Sequence, residues 1–127
     1  MARILIVDDE EMDRVLLADI LRRAGHETLF AANGRAALRL CRKSDIDLVV
    51  TDIVMPELNG LELLESLLEA DPWVRVIAIS GITAKKLNQA ARSGAKAILT
   101  KPVDPEELLR EISRALDETE PRWESES

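Results

Sequence analysis

Ile46-Asp47-Leu48-Val49-Val50-Thr51-Asp52-Ile53-Val54-Met55-Pro56-Glu57-Leu58-Asn59-Gly60 reads as a buried strand that opens into a loop. Its first half is an apolar, β-branched run of strand length, the pattern of a strand covered on both faces. The run ends at Asp52. Pro56 and Asn59-Gly60 mark the loop, and a helical pattern follows. In parallel α/β sheets, ligand sites lie off the carboxyl ends of the strands. Asp52 is therefore either the cap of a turn or a member of such a site. The other strand ends decide between these readings.

Working toward the N-terminus, Arg3-Ile4-Leu5-Ile6-Val7 is a second apolar run, followed by Asp8-Asp9-Glu10-Glu11. Apolar residues at 12, 16, 17, 20, 21 and 24 then form one helical face, and Gly25 suits the position after the helix end. Asp9 could serve only as the N-cap of this helix, but that leaves the second acid beside it unexplained. Thr28–Ala32 is the next strand pattern. Asn33-Gly34 is a turn signal, and Ala36, Ala37, Leu40 and Cys41 share a helical face. Cys41 reads as a small core residue, and His26 as a solvated loop residue.

Toward the C-terminus, Leu61, Leu64, Leu67 and Leu68 stripe a helix that stops near Asp71-Pro72. Residues 73–79 form a fourth strand run ending in Ser80-Gly81. A weaker helical pattern has Ala84, Leu87, Ala90 and Ala91 as its apolar residues and Gly94 as its stop. Ala97-Ile98-Leu99 is a short fifth strand that leads into Thr100-Lys101-Pro102. The last helix has Asp104 at the N-cap, Pro105 at its first position and Glu107 placed for a capping box. Its apolar face is Leu108, Leu109, Ile112, Ala115 and Leu116.

Five strands alternating with five helices predict an α/β fold: a (β/α)5, doubly wound, five-stranded parallel sheet. The wholly apolar first strand should be central, as in the flavodoxin-like order 2-1-3-4-5. The 127 residues make one domain, read here as 1–118, with a polar, acidic and disordered tail at 119–127. The net charge is −7, which argues against direct binding to nucleic acid. No apolar run reaches membrane-spanning length and no signal-peptide pattern opens the chain. One cysteine and one histidine cannot build a disulfide framework or a Cys/His zinc site. The expected compartment is the cytoplasm.

The strand ends carry Asp8-Asp9, Asp52, Ser80 and Lys101, which a parallel sheet gathers at one edge. Two carboxylates about 4 Å apart repel by about 4 kcal/mol at an effective dielectric near 20. Several together call for a cation or shifted pKa values. An all-oxygen cluster suits a hard cation, with Mg2+ the best candidate. The implied chemistry is phosphoryl transfer, with Asp52 as a carboxylate nucleophile. Lys101 would hold one phosphoryl oxygen and the Ser80 hydroxyl would donate to another.

Together, Val7-Asp8-Asp9-Glu10, Asp52-Ile53-Val54-Met55-Pro56 with Gly60, Ser80-Gly81, Gly94-Ala95 and Lys101-Pro102 resemble the receiver domain of two-component response regulators. The resemblance spans residues 3–116. It implies Mg2+-dependent phosphorylation by a sensor histidine kinase or histidine phosphotransfer protein, and no catalysis beyond the module's own phosphorylation and dephosphorylation. It implies that Asp8, Asp9 or both bind Mg2+ together with Asp52 and the Val54 backbone carbonyl. Asp52 would be the phosphoacceptor, Ser80 the switch hydroxyl and Lys101 the phosphate clamp, with a cis Lys101–Pro102 peptide. Output would pass to a protein through the fourth helix, fifth strand and fifth helix, where Lys85 and Lys86 add a basic start. One departure stands out: Ile98 occupies the position where the family usually has Tyr or Phe. Two rival readings fit less well. A haloacid-dehalogenase-type phosphatase needs an acid at position 54, which is Val54, and a dinucleotide binder would not place four acids at the first strand-to-helix turn. A non-phosphorylated interaction module on the same fold is the remaining alternative.

Overall fold

The computed structural model describes residues 2–53, 60–81 and 94–117. Five strands, β1 (Arg3–Val7), β2 (Glu27–Ala31), β3 (Leu48–Asp52), β4 (Val76–Ser80) and β5 (Ala97–Thr100), form one sheet in the order β2-β1-β3-β4-β5. Every pairing is parallel. Helices α1 (Glu11–Arg23), α2 (Gly34–Lys43) and α3 (Gly60–Ala70) and a C-terminal helix (Pro105–Asp117) cover it. The expected architecture and strand order are both present. The fourth helical pattern with Lys85 and Lys86, the loop that carries Val54, and the acidic tail lie outside the described residues.

The period-2 alternation of the strands divides the core between the two faces. Ile4, Ile6, Val50, Ile77 and Ile79 pack with α1 and the C-terminal helix. Leu5, Val7, Val49 and Val76 pack with α2 and α3. Strands β3 and β4 are buried along their whole length, which is why they read as continuous apolar runs rather than alternating ones.

Local chemistry sets the helix ends. After α1, the Gly25 N–H donates to the Arg22 carbonyl and the His26 N–H to the Leu21 carbonyl, with Gly25 at a φ of 91°. This is a Schellman motif, as the sequence predicts. Asn33 is more than a turn residue: its side chain caps α2 by accepting from the Ala36 N–H. Asp104 accepts from the N–H of Glu106 at 3.1 Å, one residue before the expected Glu107.

Three expectations need correction. Met12 and Leu16 were placed on the core face of α1 but are exposed; Leu17, Ala18 and Leu21 are the buried residues. Part of the inward side is polar, because Arg14 sends its guanidinium to the Asp8 carbonyl at 2.6 Å. Strand β4 begins at Val76, not at residue 73. Asp71 and Pro72 build a turn in which the Asp71 carboxylate accepts from the Trp73 N–H. His26 is not simply solvated, since its Nδ1 accepts from the Ala2 N–H at 3.1 Å. Burial, with the nearby amino-terminal charge, lowers its pKa. Cys41 is half-buried against the α2–α3 core, and burial raises its thiol pKa, as a packing role requires.

Gly60 opens α3 directly against the end of β3, and its N–H donates to the Ile53 carbonyl at 2.8 Å. A Cβ there would collide with the Asp52 carbonyl oxygen and lie 2.6 Å from the Ile53 Cα. Gly25 has no atom within 4 Å of its would-be Cβ, so only its left-handed backbone resists a side chain. Gly60→Ala should therefore lower stability by about 3 kcal/mol, and Gly25→Ala by only about 1–2 kcal/mol. Urea denaturation of the two variants checks the order.

Candidate functional site

The backbone ladder continues one residue past three of the strands. The Asp8 N–H donates to the Ala31 carbonyl, the Ile53 N–H to Ile79 and the Lys101 N–H to Ser80, at 2.9–3.1 Å. The backbone at Asp8, Asp52 and Lys101 is thereby held in the sheet. Asp8 follows Ile6, Asp52 follows Val50 and Lys101 follows Leu99 by two positions. Strand alternation thus assigns all three to the face covered by α1 and the C-terminal helix.

These residues meet. One carboxylate oxygen each from Asp8, Asp9 and Asp52 lies within 4.8 Å of the other two. Asp8 and Asp52 are 2% and 7% exposed, whereas Asp9 is exposed. The Lys101 Nζ lies 2.9 Å from Asp52 Oδ2, 3.0 Å from Asp13 Oδ2 and 3.7 Å from Asp8 Oδ2. Ser80 ends β4, fully buried, one residue past the register partner of Asp52. The Lys101–Pro102 peptide is cis, as expected. The cluster opens into a groove of about 660 Å³ between α1 and the segment after β5, lined by Asp8, Asp13, Lys101, Leu16, Ile20 and Pro102. The Val54 carbonyl lies outside the described residues.

Asp9 is not the N-cap of α1. That position is Glu10, which makes no side-chain cap bond; Asp8 Oδ1 instead accepts the Glu10 N–H at 2.9 Å. With capping removed, the exposed carboxylate of Asp9 belongs to the acid cluster. Asp13 was missed. An acid in the first turn of a helix reads as an ordinary partner of the helix dipole. The available signal was its place in the first turn of the helix that starts at this edge just after Asp8-Asp9.

Burial raises the Asp8 carboxyl pKa to about 6. The Glu10 N–H and the Lys101 charge oppose that rise, and the charges of Asp52 and Asp13 add to it. Burial alone would lower the Lys101 pKa, but its hydrogen bonds to Asp52 and Asp13, together with the charges of Asp52 and Asp8, outweigh burial and hold it above the ordinary lysine value. A buried carboxylate that resists ionisation, among two other acids and with only hard oxygen donors, is the chemistry of a site that could bind a metal.

Residues 4–113 match the family described as the response regulator receiver domain, and the chain belongs to that family. Protein PilH of Pseudomonas aeruginosa is 40% identical over 120 residues, 91% of this chain and 98% of PilH. Chemotaxis protein CheY of Thermotoga maritima is 33% identical over 114 residues, 88% of this chain and 95% of that protein. The solved structure of response regulator protein TrrA from Thermotoga maritima, in complex with Mg(2+)-BeF, aligns with a TM-score of 0.84 at 30% identity. The alignment covers 91% of this chain and 100% of TrrA. The chain is therefore a signalling module of two-component systems, a class that works with histidine kinases and downstream effectors. Among the described residues, no helix is long and apolar enough to cross a membrane.

The raised Asp8 pKa has a consequence for stability. The folded chain keeps a proton up to about pH 6 that the unfolded chain releases near 3.8. The stabilisation from that proton is complete below pH 3.8 and is lost as pH rises through 6. Above that, ionised Asp8 costs about 3 kcal/mol. In Asp8→Asn the side-chain oxygen can still accept the Glu10 N–H without the charge. In chelator at pH 8 this variant should be about 2–3 kcal/mol more stable than the parent, and the gap should close toward pH 4. Excess divalent cation should narrow or reverse it by binding the parent more tightly. Urea denaturation at the two pH values, with and without cation, measures this.

Proposed function

We propose that Asp52 is the phosphoacceptor of a receiver domain served by a sensor histidine kinase or histidine phosphotransfer protein. The observation that carries this reading is the Asp52 carboxylate itself. It is 7% exposed, 2.9 Å from the Lys101 ammonium and grouped with the oxygens of Asp8 and Asp9. A carboxylate oxygen of Asp52 attacks phosphorus in line with the phosphohistidine nitrogen. A P–O bond forms, the P–N bond breaks, and the imidazole keeps the electron pair and takes up a proton. Water later cleaves the acyl phosphate and restores the carboxylate. These two steps on its own side chain are all the catalysis assigned to the chain.

Asp8, Asp9, Asp52 and the Val54 carbonyl would hold Mg2+, which supplies charge neutralisation on the phosphoryl oxygens. TrrA, solved with Mg(2+)-BeF, supports that choice of cation. Lys101 turns its ammonium from Asp52 to a phosphoryl oxygen. Ser80, on the neighbouring strand, donates its hydroxyl to another and so couples phosphorylation to the segment that follows it. The receiver unit is residues 1–118, with 119–127 as an acidic tail, and the reading carries a cytoplasmic location with it.

Output goes to a protein rather than to nucleic acid, through residues 82–93, β5 and the C-terminal helix. Ile98 is half-buried and packs with Ile53 and Ala78, so it transmits a packing change rather than swinging an aromatic ring outward. If this route is right, amide chemical shifts recorded with and without beryllofluoride should change at Ser80 and through residues 82–110. Changes confined to the strand ends would exclude it.

The central test is mass spectrometry after incubation with phosphoramidate. One phosphoryl group should be gained with Mg2+ present, none in excess chelator, and none in Asp52→Asn. Phosphate found on Ser80, or labelling that persists in chelator, would refute the assignment.

A further inference from the structure

We propose that Asp13 is a positioning residue for phosphoryl transfer: a second counter-ion that shares the Lys101 ammonium with Asp52 and limits the positive charge Lys101 offers an incoming phosphoryl group. The inference rests on the reading of Asp52 as phosphoacceptor and adds a residue to it. The Lys101 Nζ is 3.0 Å from Asp13 Oδ2 and 2.9 Å from Asp52 Oδ2, so two of its three donors are engaged almost equally. Asp13 sits on a fixed turn. The Asp8 carboxylate accepts from the Glu10 N–H, the Arg14 N–H donates to the Glu10 carbonyl, and the Arg14 guanidinium holds the Asp8 carbonyl. When Asp52 receives a phosphoryl group and Lys101 turns toward it, Asp13 keeps its hold on the same ammonium.

The charge balance gives this a direction. Asp8, Asp9, Asp13 and Asp52 around Lys101 have a formal charge of −3, which a divalent cation reduces to −1. Without Asp13 the cation-loaded site would be neutral. Asp13 therefore strengthens cation binding and opposes the approach of an anionic phosphodonor. Its side chain is 35% exposed, so salt screens both effects.

Asp13→Asn keeps an oxygen that can accept from Lys101 and removes the charge. With acetyl phosphate at low ionic strength, where the acetate–phosphorus bond breaks as the bond to Asp52 forms, the variant should half-saturate at several-fold lower donor concentration. Its maximal rate should change little. Calorimetric titration should show Mg2+ binding several-fold more weakly. Both differences should shrink in about 0.5 M salt, and Asp13→Glu should return both toward the parent. Unchanged donor half-saturation and Mg2+ affinity at low salt would overturn the proposal. So would a lower maximal rate that is indifferent to salt, which would mean that Asp13 only props up Lys101. Loss of labelling in the parent, or labelling retained in Asp52→Asn, would overturn the phosphoacceptor reading itself.

Discussion

The Lys101 ammonium, held among the carboxylates of Asp52, Asp13 and Asp8, is the interaction on which the carboxyl edge of the sheet depends. Asp8 and Asp52 are nearly removed from solvent. Buried like charges at this separation are costly unless an opposite charge or a proton intervenes. Lysine suits the task because its compact charge rides on a flexible stem and has three donors to distribute. That stem is anchored at its root, since the Lys101 N–H is paired with the Ser80 carbonyl.

Register makes the meeting possible. The pairs Val7↔Thr51, Asp52↔Ile79 and Ser80↔Thr100 bring the strand ends level across four strands. A slip of one residue would turn Asp8, Asp52 or Lys101 to the opposite face and break the cluster. The same slip would turn Ile6, Val50 or Leu99 away from the core they form with α1 and the C-terminal helix and toward the opposite face of the sheet. The apolar core that makes register strict for folding therefore also makes it strict for the site. The face chosen is that of α1, which is why the first turn of that helix can add Asp13.

Much of this was legible in the chain. Buried parallel strands are conspicuous as apolar runs, and the residue that ends each run is conspicuous by contrast, so Asp8, Asp9, Asp52, Ser80 and Lys101 could be picked out before any coordinates. Strand order is not written directly in a sequence, but the apolar run at residues 4–7 of β1 suited an interior strand and the order 2-1-3-4-5. The misreadings share an origin in specific hydrogen bonds that hydrophobic periodicity does not report, whether the partner is two residues away or 88. Met12 and Leu16 fit a helical stripe, but the helix rolls so that Arg14 reaches the Asp8 carbonyl. Trp73 and Val74 have strand-like side chains, yet Asp71 binds their backbone in a turn. His26 gains a partner from Ala2, 24 residues away. Asp13 announces nothing locally, and its role depends on an ammonium 88 residues further on.

The arrangement that lets the sheet edge fold also prepares it to change. Without a cation, Lys101 supplies the positive charge that Asp52 and Asp8 require, and it does so by occupying a carboxylate oxygen of Asp52. On the proposed reading, that is the group which must react. On the same reading, a divalent cation would relieve the repulsion from the side of Asp8 and Asp9, and Lys101 would then be free to follow charge onto the phosphoryl group. The resting and modified states would then differ in which anion the ammonium serves, while the apolar strands beneath keep one register. A local exchange of electrostatic partners on a rigid sheet is the kind of event that can bias a more weakly held neighbouring segment. Gly81 adjoins this edge directly, since the carbonyl of Ser80 before it accepts from the Lys101 N–H.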